Sequence, residues 1–582
     1  MDRNLLSTVF YRSCVHMISP VNRLTLAVGM VIATLVGQAA AAPVAPSENV
    51  TINLIRLLVQ QGVLTQDTAN GLIAQAEKEA QQARQANAAP VVAAGPTAAP
   101  GDVRVQYVPQ AVKDQIRDQV KAEVMATAKQ ENWAQPNTFP DWISRISFDG
   151  DIRLRDESRY FSGNNSNNIT DFAKVNDTGP YDVNKNSNTK FPPLLNTRED
   201  RENLFRLRAR LGMKAVLSPD WTAGIRIATG SDNNPVSTTQ TLGGGFGKKD
   251  IWLDQGYLTW TTTDYMKLTA GRIGNPFYST DMMYSNDLNF DGVAAIFNHS
   301  LNSEWGVFGT LGAFPIEYTS DTASANGIDK EDSETKWLFG GQIGADWKIN
   351  RSNRLKLAAA YYQFQDIEGE RSSPCSPWAG AAGCDTDGTR VAFMQKGNTV
   401  FNLRNNTTNP ADPAKTPDPQ FVGLASKFNV LDLNLVWDSE LPSDFKLRTQ
   451  GNFIHNLAYD KGEMLKRSEG EIVNNINSKG QFESGGNALM VSFTLGSALE
   501  MRKRGDWNVL AGYKYIQPDA LPDGFNDSSF HLGGTNAKGY FIGANYGIEK
   551  NIYASARWLS ASEVYGQPFE VDVMQLELNT RF

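Results

Sequence analysis

The chain has 582 residues, is 41% hydrophobic and 20% charged, and carries a formal net charge of −8. Outside its N-terminus it holds no apolar run of about eighteen residues, which excludes a helical membrane protein. The strands of a β-barrel escape that test, because lipid-facing and lumen-facing side chains alternate and average out as polar. Composition therefore admits a soluble protein or a barrel, and the pattern of segments has to decide.

Arg23 precedes an apolar stretch from Leu24 to Val36, followed by Gln38 and the small residues Ala39 to Ala42. A basic flank, a short apolar core and an A-x-A site form a secretory signal peptide, assigned here to residues 1–41. Pro43 directly after cleavage is awkward, so the cut is placed near Ala41, and Met17 stands where such a peptide normally begins. Removing Arg3, Arg12, Arg23 and Asp2 with it takes the mature chain from −8 to about −10. An acidic secreted chain argues against nucleic acid as a partner. Cys14 leaves with the signal, and Cys375 and Cys384 remain in a Gly/Pro/Ser-rich stretch. In an oxidising compartment that pair reads as one loop disulfide; a metal site is the rival, but no His lies nearby and two thiolates are too few ligands.

Residues 42–100 hold a helix over 48–87, where Leu54, Leu57, Leu58, Leu72, Ile73 and Ala76 keep an i, i+3, i+4 rhythm, and then an Ala/Pro/Gly linker. Residues 101–143 hold a second helix over 109–130, with Val112, Ile116, Val120 and Val124 on one stripe, and a connector. These are read as a periplasmic helical pair or, alternatively, as a self-associating coiled coil; a strict four-residue step drifts off a heptad seam.

From Ile146 the rhythm changes to 2, and residues 144–582 are read as an outer-membrane β-barrel. Phe205, Leu207, Ala209, Leu211 and Met213 alternate with Arg206, Arg208, Arg210 and Lys214; Trp337, Phe339, Ile343 and Trp347 alternate with Gln342, Asp346 and Lys348. Sixteen candidate strands follow: 146–160, 203–217, 220–230, 250–261, 265–273, 290–299, 304–314, 337–348, 354–365, 427–438, 444–457, 487–498, 506–516, 538–548, 551–560 and 570–582. Their joints alternate short and long. Ser218-Pro219, Thr262–Asp264 and Glu549-Lys550 are short, whereas 161–202, 231–249, 315–336, 366–426, 458–486 and 517–537 are long and rich in Asn, Asp, Gly, Ser or Pro. A sandwich has no reason to alternate in this way, while a transmembrane barrel with both ends in the periplasm does. Trp221, Trp260, Trp305, Trp347, Trp437 and Trp507 lie by short joints, and Trp252, Trp337 and Trp558 at the opposite strand ends, as two aromatic girdles require.

Several segments then look familiar: "GVLTQDTANGLIAQAEKEA", "VPQAVKDQIRDQVKAEV", "WAQPNTFPDWISRISFDGDIRLRDESRY", "AGRIGNPFYSTDMMYSNDLNFDGVA" and the closing "LELNTRF". Together they resemble the bacterial "putative porin" family of outer-membrane proteins, over essentially the whole mature chain. The resemblance implies an outer-membrane location and a channel, in contact with outer-membrane lipid, and names no cargo. The terminal Phe582 resembles the signal by which the barrel-assembly machinery recognises its clients.

About sixteen strands leave an aqueous lumen for small hydrophilic solutes. On the dyad, Arg153 and Arg155 and then Arg206, Arg208 and Arg210 project inward, with Arg226 and Lys214 as further candidates. Such a ladder either concentrates anions or, with Asp149 and Asp151 beside it, forms a solvated ion-pair network. In sixteen-stranded general porins the third long loop folds inward. Here that loop, Asn275 to Asn289, carries Asp281 and Asp287 as candidate constriction acids facing the ladder, although about fifteen residues is short for the role. Loop 366–426 is the competing constrictor.

The reading is thus a passive porin, anion-preferring through the ladder, with a homo-oligomer such as a trimer as its assembly. The alternative is a structural barrel whose periplasmic helices tether it to cell wall or a partner. No enzyme, cofactor or metal is expected. His299, His455 and His531 are scattered, the acidic run Asp329–Glu334 lacks the spacing of a calcium loop, and Gly243–Lys249 lacks that of a phosphate cradle.

Overall fold

A computed structural model describes residues 141–187, 190–318, 335–380 and 383–582, together with Asn70 and Ala74. The signal peptide, both expected helices with their linker, and the acidic run Asp329–Glu334 lie outside the described residues.

The main sheet has sixteen long strands. In chain order they are β1 (Ile146–Phe161), β2 (Arg201–Val216), β3 (Trp221–Thr229), β4 (Ile251–Thr263), β5 (Met266–Gly274), β6 (Asn289–Ser300), β7 (Trp305–Tyr318) and β8 (Thr335–Lys348). The second half contributes β9 (Asn353–Gln365), β10 (Phe428–Glu440), β11 (Lys446–Asn456), β12 (Asn487–Gly496), β13 (Trp507–Ile516), β14 (Ala537–Glu549), β15 (Ile552–Glu563) and β16 (Glu570–Arg581). Each strand pairs antiparallel with the next, and β1 pairs with both β2 and β16, so the sheet closes on itself and no long edge is left open. All sixteen expected strands are present. A two-residue piece that the rhythm did not reveal, Gln240–Thr241, extends the sheet along Arg206 and Leu207 of β2. The joints alternate long and short all round the barrel, although the two classes overlap in length. The turn 497–506, at the short-turn end, is longer than the loop 564–569 at the other end.

Burial is inverted relative to a soluble sheet. On β10 the outward Leu433 and Leu435 are 40% and 38% exposed, whereas the inward Val430 and Asp432 are 0% exposed. An apolar outer surface is stable only in lipid, where strands must also satisfy every backbone group by closing. The aromatic girdles pair across strands: Trp221 stacks on Trp260 at 5.7 Å and Trp305 on Trp347 at 4.9 Å near the short turns. At the opposite ends Tyr160 stacks on Trp558 at 6.0 Å. The barrel seam is finished by the last residue. The backbones of Gly150 and Phe582 exchange two hydrogen bonds of 3.0 Å, and the Phe582 ring lies where a Gly150 side chain would stand.

The apolar core lies inside the lumen, toward the long-loop end. Phe277, Met282, Met283, Tyr284 and Leu288 of the loop 275–288 pack against the wall residues Phe290, Phe314, Leu338, Tyr362, Val430 and Ile454. Above them the long loops form a second cluster around Phe401, Leu403, Phe421, Met464 and Ile472. Loop 366–427 is braced within itself by the expected Cys375–Cys384 disulfide and by a buried Arg404–Asp387 ion pair. Asn176, on the short helix Phe172–Thr178, bonds both backbone groups of Val422 at 2.9 and 3.0 Å. The result is a folded cap.

Candidate functional site

On β1, odd residues face inward and even ones face lipid, so Arg153 and Arg155 share a face with Asp151, Glu157 and Arg159. β2 presents Arg206, Arg208 and Arg210 on the same wall in direct register, Arg155 opposite Arg206 and Arg153 opposite Arg208. β16 adds Glu577 opposite Arg155. Like charges held one pleat apart repel unless carboxylates intervene, and here they do. Arg155 donates to Glu577 at 2.7 Å through Nε and to Glu157 at 3.2 Å. Glu157 also accepts from Arg159 at 2.7 Å and from Arg206 at 3.0 Å. Arg208 and Arg210 share Asp151, at 2.8 and 2.6 Å. Arg153 donates to Thr239 Oγ1 at 2.6 Å and lies 3.9 Å from Glu577. Arg226 stands apart on β3, donating to Asp254 at 2.5 Å and to Asn289 Oδ1 at 3.2 Å. Lys214 is exposed nearer the short turns.

Loop 275–288 turns into the lumen and crosses it despite its length. Tyr278 exchanges two hydrogen bonds of 2.8 Å with Gln342 on β8, and the Lys356 ammonium of β9 sits 3.7 Å over its ring. Thr280 donates to Asn452 on β11 at 2.5 Å. The two acids then part company. Asp287 reaches the ladder and accepts from Arg208 and Arg210 at 3.2 Å each, and from the backbone and hydroxyl of Thr238. Asp281 does not face the ladder; it pairs with Lys514 on β13 at 2.9 Å. The physical reason is the loop's path, which lies against β11 at residue 280 and reaches β2 at residue 287. Burial works to raise both carboxyls. Lys514 and Arg557 outweigh it at Asp281, as do Arg208, Arg210 and Arg153 at Asp287, and both sit below their ordinary range.

The ladder is neither a bare row of cations nor a balanced network. Six arginines, Arg153, Arg155, Arg159, Arg206, Arg208 and Arg210, share four carboxylates, Asp151, Glu157, Asp287 and Glu577. Asp151 takes part in this sharing; Asp149 lies instead over Gly212. Glu157, Glu577, Arg159 and Lys514 were not singled out from the sequence, although strand parity places the first three on the inward face. Loop 366–427 covers the lumen from above. The histidines are dispersed, His299 against the Tyr265 ring, His455 by Asn487 and His531 by Lys396.

A family model described as "Putative porin" matches residues 48–582. Comparison with curated proteins gives no match. Among solved structures, the outer membrane channel DcaP of Acinetobacter baumannii aligns at 9% identity over 75% of this chain and 97% of its own, with a TM-score of 0.34. OmpF of Salmonella typhi in complex with daunomycin aligns at 8% identity over 75% and 97%, with a TM-score of 0.35. A loop L8 deletion mutant of OmpT, an outer membrane protein of Vibrio cholerae, aligns at 11% identity over 75% and 100%, with a TM-score of 0.34.

Proposed function

The chain belongs to the family described as "Putative porin", and from that premise we propose that it is a passive outer-membrane porin admitting small hydrophilic solutes with a preference for anions. Membership makes it an outer-membrane channel. The preference is carried by one observation, the inward wall on which six arginines share four carboxylates. An excess of cationic groups on a low-dielectric wall raises the local anion concentration, and at a narrow passage that excess decides which ion enters.

In this reading the long-loop cap faces the exterior, residues 42–143 lie in the periplasm, and Phe582 is the end read by the barrel-assembly machinery. The reversal potential of the full-length protein in a planar bilayer under a KCl gradient tests the preference. A sign favouring chloride supports it. A sign favouring potassium refutes it.

A further inference from the structure

The cap at the long-loop end encloses a cavity of about 560 Å³ where five chain segments meet. These are the loops 162–200, 366–427, 457–486 and 517–536, and the end of β15 with the loop after it. Rigid bonds frame it. Asp519 accepts from the Thr399 backbone at 2.9 Å and its hydroxyl at 2.6 Å, and Asn398 donates to the Pro518 and Leu521 carbonyls at 2.6 and 2.8 Å. The amides lining it are already engaged: Asn474 donates to the Asn398 carbonyl, Asn475 to that of Gly397, and Asn536 to Asn475 and the Tyr565 carbonyl. They build the wall and leave little hydrogen-bonding capacity for a ligand.

Two charged groups in the lining are different. The Lys396 ammonium has a single described hydrogen-bond partner, the His531 ring at 2.6 Å, and lies 5.0 Å over the Phe569 ring. The other ring nitrogen of His531 lies 3.1 Å from the Phe569 carbonyl and must donate there, so the near nitrogen accepts from Lys396. One of three ammonium hydrogens is used. The Glu563 carboxylate, across the same cavity, makes no hydrogen bond or ion pair among the described residues, and it is not within salt-bridge reach of Lys396. A cation with donors to spare and an acid with no partner stand apart inside one cavity, and the acid, which burial favours in its protonated form, gains a reason to ionise only when a cation arrives beside it. A partnerless ionisable group in a partly dry site is costly.

We propose that this cavity binds a small zwitterion of the amino-acid or short-peptide class, its carboxylate on Lys396, its ammonium on Glu563, and its side chain against Phe172, Met394 and Val473. An anion meets Lys396 but faces Glu563. A cation meets the reverse. A neutral hydroxylated solute offers hydrogen bonds and cancels neither charge. Only a zwitterion answers both groups, and the apolar lining gives its side chain a surface to cover. The site lies in the cap, apart from the arginine wall, and does not depend on the ion preference proposed above.

Calorimetric titration of the folded full chain in detergent tests it, with alanyl-phenylalanine, its N-acetylated anion, its C-terminal amide and maltose as the four probes. The dipeptide binds, and each blocked form binds about tenfold or more weakly, as loss of one buried charged hydrogen bond requires. In E563Q the gap between dipeptide and N-acetyl form closes; in K396M the gap between dipeptide and amide closes. Heat-modifiable migration on gels reports that each variant is folded, and the four-probe panel on the unaltered protein decides the matter where a variant is not. Equal binding of all four probes, or no heat with any, overturns the proposal and leaves a solvent-filled cavity only. So does an E563Q protein that keeps the full preference for the dipeptide.

Discussion

Two walls of one lumen are built from the same strand rhythm and put to opposite use. On β1, β2 and β16 the inward positions are Arg153, Arg155, Glu157, Arg206, Arg208, Arg210 and Glu577, held by shared ion pairs. On β9 to β11, toward the long-loop end, they are Tyr362, Phe364, Val430 and Ile454, sealed under loop 275–288. Both walls present the same apolar belt to lipid, so the outward parity is fixed by the membrane. The inward parity is free to become a conduit or a support. Loop 275–288 joins the two, anchored to the first wall by Asp287 and to the second by the ring of Phe277, which packs on Tyr362 of β9 at 5.0 Å.

The largest effect comes from breaking the support. F277A removes the centre of that aromatic cluster and costs about 3–5 kcal/mol. Urea unfolding followed by gel mobility should show that loss, with a larger single-channel conductance as the loop comes free; unchanged conductance would show that the loop does not narrow the pore. Next is E157Q on the conduit wall. It takes away the carboxylate shared by Arg155, Arg159 and Arg206. A buried pair broken from one side costs about 3 kcal/mol. The reversal potential of E157Q should move further to the anion side, opposite to the effect of removing arginines.

G150A tests the seam where the conduit wall closes. A methyl there would stand 2.7 Å from the Arg210 carbonyl oxygen and from the Phe582 ring. Ring and paired strand must both shift, at a cost of about 1–2 kcal/mol, and folding yield in liposomes should fall; a normal yield would mean the seam adapts without loss.

The remaining effect, local to the cap, is on pH. In the cap, Asp519 and Asp523 are pushed up to about 6 by burial, against hydrogen bonds from Ser484 and Thr399 and from the Asn398 and Gln395 backbones. A carboxyl raised in the folded state holds its proton more tightly than the unfolded chain does. Through these two groups the cap loses stability as pH rises from about 4 to about 6. Asp281 and Asp287 lie below their ordinary range, so their contribution is complete above it and lost only in stronger acid. Hydrogen exchange corrected for intrinsic rate should speed between pH 4.5 and pH 7 in residues 517–536 and stay level in 275–288. The reverse pattern would contradict the assignment.

The barrel was legible because its rule is local. A dyad such as Phe205 to Met213 needs no knowledge of distant residues, and Trp pairs mark the strand ends. What depends on closure was harder to see. Glu577 meets Arg155 only because β16 returns to β1, a register set by more than four hundred intervening residues. The opposed directions of Asp281 and Asp287 depend on a loop path that no spacing encodes. The cap was hidden for another reason. Its Asn-rich loops look like solvent-exposed connections, yet Asn398, Asn456 and Asn475 turn inward to bond backbone groups and allow irregular chain to be buried.

The most direct test of an arginine wall that sets selectivity is the reversal potential of R206Q/R208Q/R210Q beside the unaltered protein, across one salt gradient in planar bilayers. If the shared ladder attracts anions, the unaltered protein reverses on the chloride side, and the triple variant moves toward or past zero to the potassium side. A triple variant that folds, conducts and reverses at the same potential as the unaltered protein would contradict it.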